Sequence, residues 1–167
     1  MPVVLQNRQR AVAINRAWLS RTAEAVLSAA RADDAELSLV LVSDRRMRAL
    51  NRRYLKKDRP TDVLAFPLQE KRGQATFLTG LGRLPPTSKK SSLSPFLLGD
   101  VVISIPMARR QAAQLGHGLR VELRRLLVHG VLHLLGYDHE RGPRDAALMA
   151  RTETAILKTI NRNHPSA

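Results

Sequence analysis

Residues 128–140 read VHGVLHLLGYDHE, and this run constrains the fold more than any other part of the sequence. On a helix, residues four apart project from nearly the same side, so His129 and His133 can bring two ring nitrogens to one point. Gly136 is a typical residue for ending a helix, after which a turn can bring His139 back from a loop. The run therefore predicts a cluster of three histidines at the end of a helix.

Three histidines with this spacing indicate a zinc site. Neutral imidazole binds zinc at about 2.0–2.1 Å, and three protein ligands with one open position are the pattern of a catalytic site. We therefore expect His129, His133 and His139 to hold one Zn²⁺ per chain, with a water molecule at the open position. The alternative is that the two helical histidines are buried core residues bonded to backbone carbonyls. That arrangement would need several separate compensating hydrogen bonds.

The composition favours a polyanionic partner. The 167 residues include 28 Lys and Arg against 14 Asp and Glu, which gives a formal net charge of +14. Such an excess attracts polyanions, chiefly nucleic acid, although an anionic membrane surface is a rival and high charge can also serve solubility alone. The chain has no cysteine, which excludes disulfides and fits a reducing cytoplasm. No stretch approaches 18 apolar residues, so we expect a cytoplasmic protein without a membrane span.

The hydrophobic pattern predicts one α/β (α+β) domain over 1–167, with a small mixed four-stranded sheet covered by helices. The helix that carries the histidines is apolar around most of its circumference and should be central. Gly130 inside it costs about 1 kcal/mol relative to alanine, which indicates close backbone approach beside the metal. The expected strands are 3–5, 36–42, 61–67 and 98–105, and the expected helices are about 8–30, one from 44 onward, 106–115, 119–135 and 144–161.

Two further features belong to this prediction. From 68 to 97 regular patterning fails, with several glycines, a Pro-Pro pair and a Ser/Lys-rich stretch, so we expect a flexible insertion there.

In the last helix a set of residues is expected to face inward: Leu148, Thr152, Ala155, Ile156 and Thr159.

The segment 44–59 is rich in arginine. It holds eight basic and two acidic residues, a net charge of +6. Such a concentration suits contacts to phosphates, which set affinity and register without reading bases. A solvated helix face is the alternative, although ordinary surfaces mix both signs of charge.

Three stretches together resemble the YbeY family of bacterial metal-dependent endoribonucleases. They are HGVLHLLGYDH at 129–139, LGDVVIS at 98–104 and LNRRYLKKDRPTDVLAFP at 50–67, within a similarity that extends roughly from 37 to 157. The resemblance implies a zincin-like central metal helix and cleavage of single-stranded RNA in ribosomal RNA maturation, near the 3′ end of the small-subunit RNA. It also implies a part in ribosome quality control, with ribosomal RNA, the ribosome and its assembly factors as partners.

Two positions depart from the family pattern LNxxYRxxDxPTDVLSFP. The family arginine falls on Leu55 and the family serine falls on Ala65. Unlike arginine, leucine has no N–H groups that could donate paired hydrogen bonds to a phosphate. Either Arg53, Lys56 or Arg59 binds the substrate instead, or the activity is weakened or altered.

The residues around the histidines favour RNA cleavage over peptide cleavage. Gly130 occupies the position at which HExxH peptidases carry their catalytic glutamate. For RNA, a metal ion can stabilise charge on a phosphoryl oxygen and supply hydroxide from its bound water. Asp138 and Glu140 are candidates for proton transfer, although either could be an ordinary surface carboxylate. The alternatives are a zinc-holding RNA- or ribosome-binding assembly factor with little catalysis and, third, a hydrolase of peptides or other small substrates.

Overall fold

The computed structural model describes residues 2–68 and 96–163. Among these residues, no helix combines the length and the apolar character that a bilayer span needs. The elements follow one another in the order β1 (Val3–Asn7), α1 (Arg16–Ala29), β2 (Ala35–Val42), α2 (Asp44–Leu55), β3 (Val63–Pro67), β4 (Phe96–Ser104), α3 (Ile105–Leu115), α4 (Leu119–Leu134) and α5 (Pro143–Asn163).

The four strands form one mixed sheet in the order β1-β2-β4-β3. Strands β1, β2 and β4 are parallel, whereas β3 runs antiparallel to β4. Residue Val101 in the middle of β4 lies opposite Leu39 of β2 and Ala65 of β3. The α+β fold with a small mixed sheet of four strands, which the sequence predicts, is confirmed.

The two faces of the sheet are covered by different helices. Leu39 and Val101 belong to the larger core, which also contains residues of α1, α4 and α5. Val40 and Val102, their neighbours along the strands, pack with Met47 of α2 in a second cluster. Side chains alternate between the faces of a strand, so strands covered on both faces become apolar at nearly every position. This explains the continuous apolar runs in β2 and β4.

Helix α1 begins later than the spacing of its apolar residues predicts. The spacing predicts a start at about Arg8, but the first helical residue is Arg16. Asn15 caps the helix, because its side chain accepts a hydrogen bond from the Trp18 backbone N–H at 2.9 Å. Before it, the side chain of Gln9 folds onto the backbone of Val12 through two hydrogen bonds. These local contacts fix 9–15 as a loop.

A buried carboxylate joins the turn between α3 and α4 to the first turns of α4. Glu122 accepts a hydrogen bond from Arg125 Nη2 at 2.5 Å and lies 2.7 Å from His117 Nε2. Burial raises the pKa of the Glu122 carboxyl, but the hydrogen bonds to Arg125 and His117 outweigh burial, so that its pKa lies below the ordinary value. The contacts fix the direction in which α4 leaves the turn.

The insertion expected at 68–97 lies for the most part outside the described residues. Its two ends continue the sheet instead of starting a loop. The Leu68 backbone N–H donates to the Leu98 carbonyl at 3.1 Å, and Phe96 and Leu97 pair with Ala35 and Glu36 of β2. Strand β4 therefore begins two residues earlier than predicted.

Candidate metal centre

Helix α4 and the turn that follows it bring three histidines together. His129 and His133 are one helical turn apart, with ring centroids 4.6 Å apart and their Nε2 atoms at 3.0 Å. Helix α4 ends at Leu134, and Gly136 adopts a φ of +99°, a conformation that side-chain-bearing residues rarely adopt. The turn returns the chain so that the ring of His139 lies 5.5 Å and 5.3 Å from the other two.

The three histidines form a group that could hold one metal ion. One candidate ligand nitrogen from each ring lies within 4.8 Å of the others. His129 and His133 are partly buried and His139 is exposed, so the group is open to solvent on one side. Three imidazoles are a donor set that suits zinc and other divalent transition metals. The residues that the sequence predicts as ligands are thus brought together, and the identity of the metal stays a prediction.

The surroundings of His133 also favour metal binding. Burial, followed by the positive charges that His129 and His139 can carry, lowers the pKa of His133 below its ordinary value. A metal ion binds the neutral imidazole, because the lone pair of the ligand nitrogen must be available. The surroundings of His133 therefore favour the form that binds a metal.

A carboxylate that the sequence analysis missed contacts the first histidine. Glu153 of α5 places its Oε1 2.5 Å from His129 Nδ1, 24 residues away along the chain. The sequence holds a signal that could have revealed it: Glu153 lies four residues after Met149 and three before Ile156, both of which are buried. A glutamate on the buried side of a helix is uncommon without a partner.

The histidines form part of the wall of a cleft of about 590 Å³. The edge strand β3 contributes all its residues, 63–67, to the lining. Ala65 and Leu55, the two departures from the family pattern, both line this cleft, and Leu55 is 47% exposed. The metal group and the unusual positions therefore belong to one site.

The basic residues predicted to bind substrate lie in different places. Arg59 lines the cleft, as does Lys57, which the sequence analysis did not single out. Arg53 and Lys56 are not among the lining residues of this cleft. Arg53 lies over the ring of Tyr54, 5.5 Å from its centroid, and Lys56 ends α2 in a left-handed conformation. The part that each of these cations takes in binding stays a prediction.

Asp138 and Glu140 both line the cleft beside His139. Asp138 Oδ1 accepts a hydrogen bond from the Glu140 backbone N–H at 2.9 Å, and its Oδ2 lies 3.5 Å from Arg141 Nε. These contacts show that Asp138 shapes the turn that carries the third histidine. Proton transfer by either carboxylate stays a prediction.

Gly130 places the metal helix in direct contact with the sheet. A Cβ atom at this position would lie 2.8 Å from Val101 Cγ1, 3.1 Å from Val101 Cγ2 and 3.4 Å from Val63 Cγ2. Close backbone approach is therefore observed at this glycine, and the neighbours are side chains of β4 and β3. Any side chain here would push α4 away from the strands.

Comparison with known proteins agrees with these features. The family described as Endoribonuclease YbeY matches residues 4–161. Endoribonuclease YbeY of Pelotomaculum thermopropionicum is 43% identical over 96% of this chain and 98% of its own length, and that of Aquifex aeolicus is 40% identical over 86% and 83%. The solution structure of TM1509 from Thermotoga maritima has the same fold, with a TM-score of 0.60 at 21% identity over 98% of this chain and 93% of that chain. The resemblance seen in the motifs is thereby confirmed, and this chain belongs to the endoribonuclease YbeY family.

Proposed function

We propose that this chain cleaves single-stranded RNA by means of one Zn²⁺ held by His129, His133 and His139. Membership of the family makes the chain an endoribonuclease, a hydrolase that acts on phosphodiester bonds in RNA. The gathering of three imidazoles on one wall of the cleft is the observation that supports the metal site. The proposed role is maturation of ribosomal RNA near the 3′ end of the small-subunit RNA, with ribosome quality control. Its partners in the cytoplasm would be the ribosome and its assembly factors.

Different side chains of the cleft would bind the metal ion and the RNA. A divalent ion bound there would stabilise the negative charge that develops on the phosphoryl oxygens. Lys57 and Arg59, which line the same cleft, would attract the phosphates that flank the scissile bond. Because His129 and His133 are partly buried, the scissile phosphate must enter the cleft, which an unpaired strand can do more readily than a duplex. The arrangement therefore favours single-stranded regions.

Removal of the metal is expected to abolish RNA cleavage reversibly. Elemental analysis of the purified protein should find about one zinc per chain, as expected of one cluster of three histidine ligands. Dialysis against a chelator should then stop cleavage of an RNA that has a folded body and a single-stranded tail. Addition of zinc should restore cleavage, while circular dichroism shows that the fold persists.

Two results would contradict this function. Undiminished cleavage by the metal-free protein would exclude a metal mechanism. Binding of RNA with a steep salt dependence, but without any cleavage by the zinc-loaded protein, would favour the assembly factor with little catalysis. Leu55 supports that alternative, because an exposed leucine lies in the cleft where the family pattern has an arginine.

The cations that line the cleft are expected to bind RNA more strongly than those outside it. Arg59→Ala and Lys57→Ala should each weaken RNA binding and lower the slope of log K against log salt by roughly 0.7–1, the effect of one lost phosphate contact. Arg53→Ala and Lys56→Ala are the matched controls and should change the slope less. Fluorescence anisotropy of a labelled RNA strand at several salt concentrations gives all four slopes. A larger change for Arg53→Ala than for Arg59→Ala would place the RNA on the exposed face of α2.

A further inference from the structure

We propose that Glu153 is a positioning residue of the metal site, and that its carboxylate holds His129 in the orientation and tautomer required for metal binding. This inference rests on the proposed metal site and adds a residue to it. Glu153 contacts an imidazole and would not touch the RNA or the ion. Its role is therefore exerted through His129.

The two nitrogens of the His129 ring point to different partners. Nδ1 lies 2.5 Å from Glu153 Oε1, whereas Nε2 lies 3.0 Å from His133 Nε2. An ionised carboxylate only accepts hydrogen bonds, and a neutral imidazole has one N–H group, so this contact places the proton on Nδ1. The lone pair on Nε2 is then available, and it is directed towards the second histidine of the cluster. One hydrogen bond thus fixes both the tautomer and the direction of the ligand atom.

The contact between His129 and Glu153 is partly shielded from solvent, which limits the movement of both side chains. The side chains of His129 and Glu153 are 28% and 26% exposed, so neither is a freely rotating surface group. Glu153 is also anchored by its own helix, because Met149 and Ile156 on either side of it are buried in the larger core. Within the described ranges, no such hydrogen bond to a carboxylate is seen for the rings of His133 and His139. The first histidine is thus the one that α5 orients.

The expected size of the effect follows from the chemistry of such pairs. A carboxylate that accepts the second N–H of a ligating histidine raises the basicity of the ligand nitrogen as well as orienting the ring. Loss of such a partner typically lowers metal affinity by about 10–100-fold. Glu153→Ala is therefore expected to raise the Kd for Zn²⁺ by about this factor. Glu153→Gln should have a smaller effect, because its amide oxygen can still accept the hydrogen bond from Nδ1.

The test measures metal binding directly. The Kd for Zn²⁺ is determined by competition with a chromophoric chelator for the wild type, Glu153→Ala, Glu153→Gln and His133→Ala, and absorption spectra of the Co²⁺-loaded proteins report the ligand geometry. Asp145→Asn is the matched control, because it removes one negative charge from the same helix at a residue for which no contact with an imidazole is seen. Thermal unfolding of each metal-free protein reports structural damage separately. We expect the order of affinity wild type and Asp145→Asn, then Glu153→Gln, then Glu153→Ala.

The outcomes separate this inference from the metal site on which it rests. Wild-type affinity in both Glu153 variants, or an equal loss in Asp145→Asn, would overturn the positioning role while leaving the three-histidine site intact. Failure of the wild type to bind zinc, or unchanged binding by His133→Ala, would instead overturn the metal site itself. If Glu153→Ala does not fold, Glu153→Leu takes its place, because it keeps much of the bulk of the side chain but has no acceptor oxygen. Wild-type zinc affinity in that variant would then overturn the positioning role.

Discussion

His133→Ala is expected to lower the rate of RNA cleavage by about 10³-fold while the protein stays folded. The variant leaves two imidazoles, fewer than the three protein ligands that catalytic zinc sites use. The electrostatic stabilisation lost with the ion is worth several kcal/mol, and about 4 kcal/mol corresponds to a factor of about 10³ in rate. His133 is partly buried and its pKa is lowered, so its removal takes away a neutral ring and leaves no buried charge unpaired. The measurement is single-turnover cleavage of a tailed RNA with added zinc.

His117→Ala serves as the control for loss of an imidazole. His117 lies in the turn between α3 and α4 and contacts Glu122, outside the cluster of three. Its substitution should reduce stability, because the buried carboxylate of Glu122 loses one of its partners, but cleavage by the folded protein should continue. Retention of more than about a tenth of the wild-type rate by His133→Ala, well short of the expected loss, would show that the cluster is not the catalytic centre.

Gly130→Ala is expected to reduce both stability and activity. The new methyl group would meet both methyl groups of Val101, at 2.8 Å and 3.1 Å, and Val101 is a fully buried residue of the central strand β4. Overpacking of this kind costs about 1–3 kcal/mol, which the better helix propensity of alanine offsets by about 1 kcal/mol. The remaining strain would move α4 away from β4 and displace His129, and a misplacement of about 1 Å can cost about 10²-fold in rate. Denaturant unfolding and RNA cleavage measure the two effects.

A second substitution tests whether the contact with β4 causes the loss of stability expected for Gly130→Ala. Val101→Ala removes both methyl groups that the new Cβ would meet. By itself it should destabilise the protein through lost burial, but in combination with Gly130→Ala the two losses should be less than additive, with a coupling of about 0.5–3 kcal/mol. Strict additivity, or a Gly130→Ala variant more stable than the wild type, would show that helix propensity outweighs packing at this position.

Much of the fold could be predicted from local signals. Helix α4 spans Leu119–Leu134, within one residue of the prediction, and Gly116 and Gly136 follow α3 and α4 in left-handed conformations that stop them. Ser43 caps α2 by accepting a hydrogen bond from the Arg46 backbone N–H, as a serine before a helix predicts. These features depend on residues close together in sequence, which is why the sequence reveals them. The cluster of histidines is visible for the same reason, since it needs one helix and one turn.

The partner of His129 escaped prediction because it depends on which face of α5 is buried. The sequence pattern predicts that Leu148 faces inward, but Leu148 is 46% exposed, whereas Met149 is buried. The two apolar residues are adjacent, so either could have marked the buried face, and the packing of α5 against α4 and α1 decides between them. A rotation by one residue places Glu153 on the inner side, beside His129. Contacts between distant elements of this kind leave only a weak periodic signal in the sequence.

The basic segment 44–59 is a second case in which the sequence does not reveal which side chains reach the site. The count of arginines and lysines in 44–59 predicts a positive surface but gives no direction to any side chain. In the structure Lys56 ends α2 with a φ of +58°, and the chain that follows runs along the cleft. Lys57 and Arg59 line the cleft for this reason. Charge is a property of composition, whereas orientation depends on the path of the backbone.

The position of β3 at the edge of the sheet has a consequence for selectivity. In the described part of the chain β3 pairs with β4 on one side, and its residues line the cleft that holds the histidines. The outer N–H and C=O groups of an edge strand can bond to an extended polypeptide as readily as to other polar chains. The backbone of β3 therefore does not distinguish RNA from peptide. The cationic side chains that line the cleft, Lys57, Arg59 and Arg141, therefore favour RNA over peptide, because they can bind the phosphates of an RNA strand.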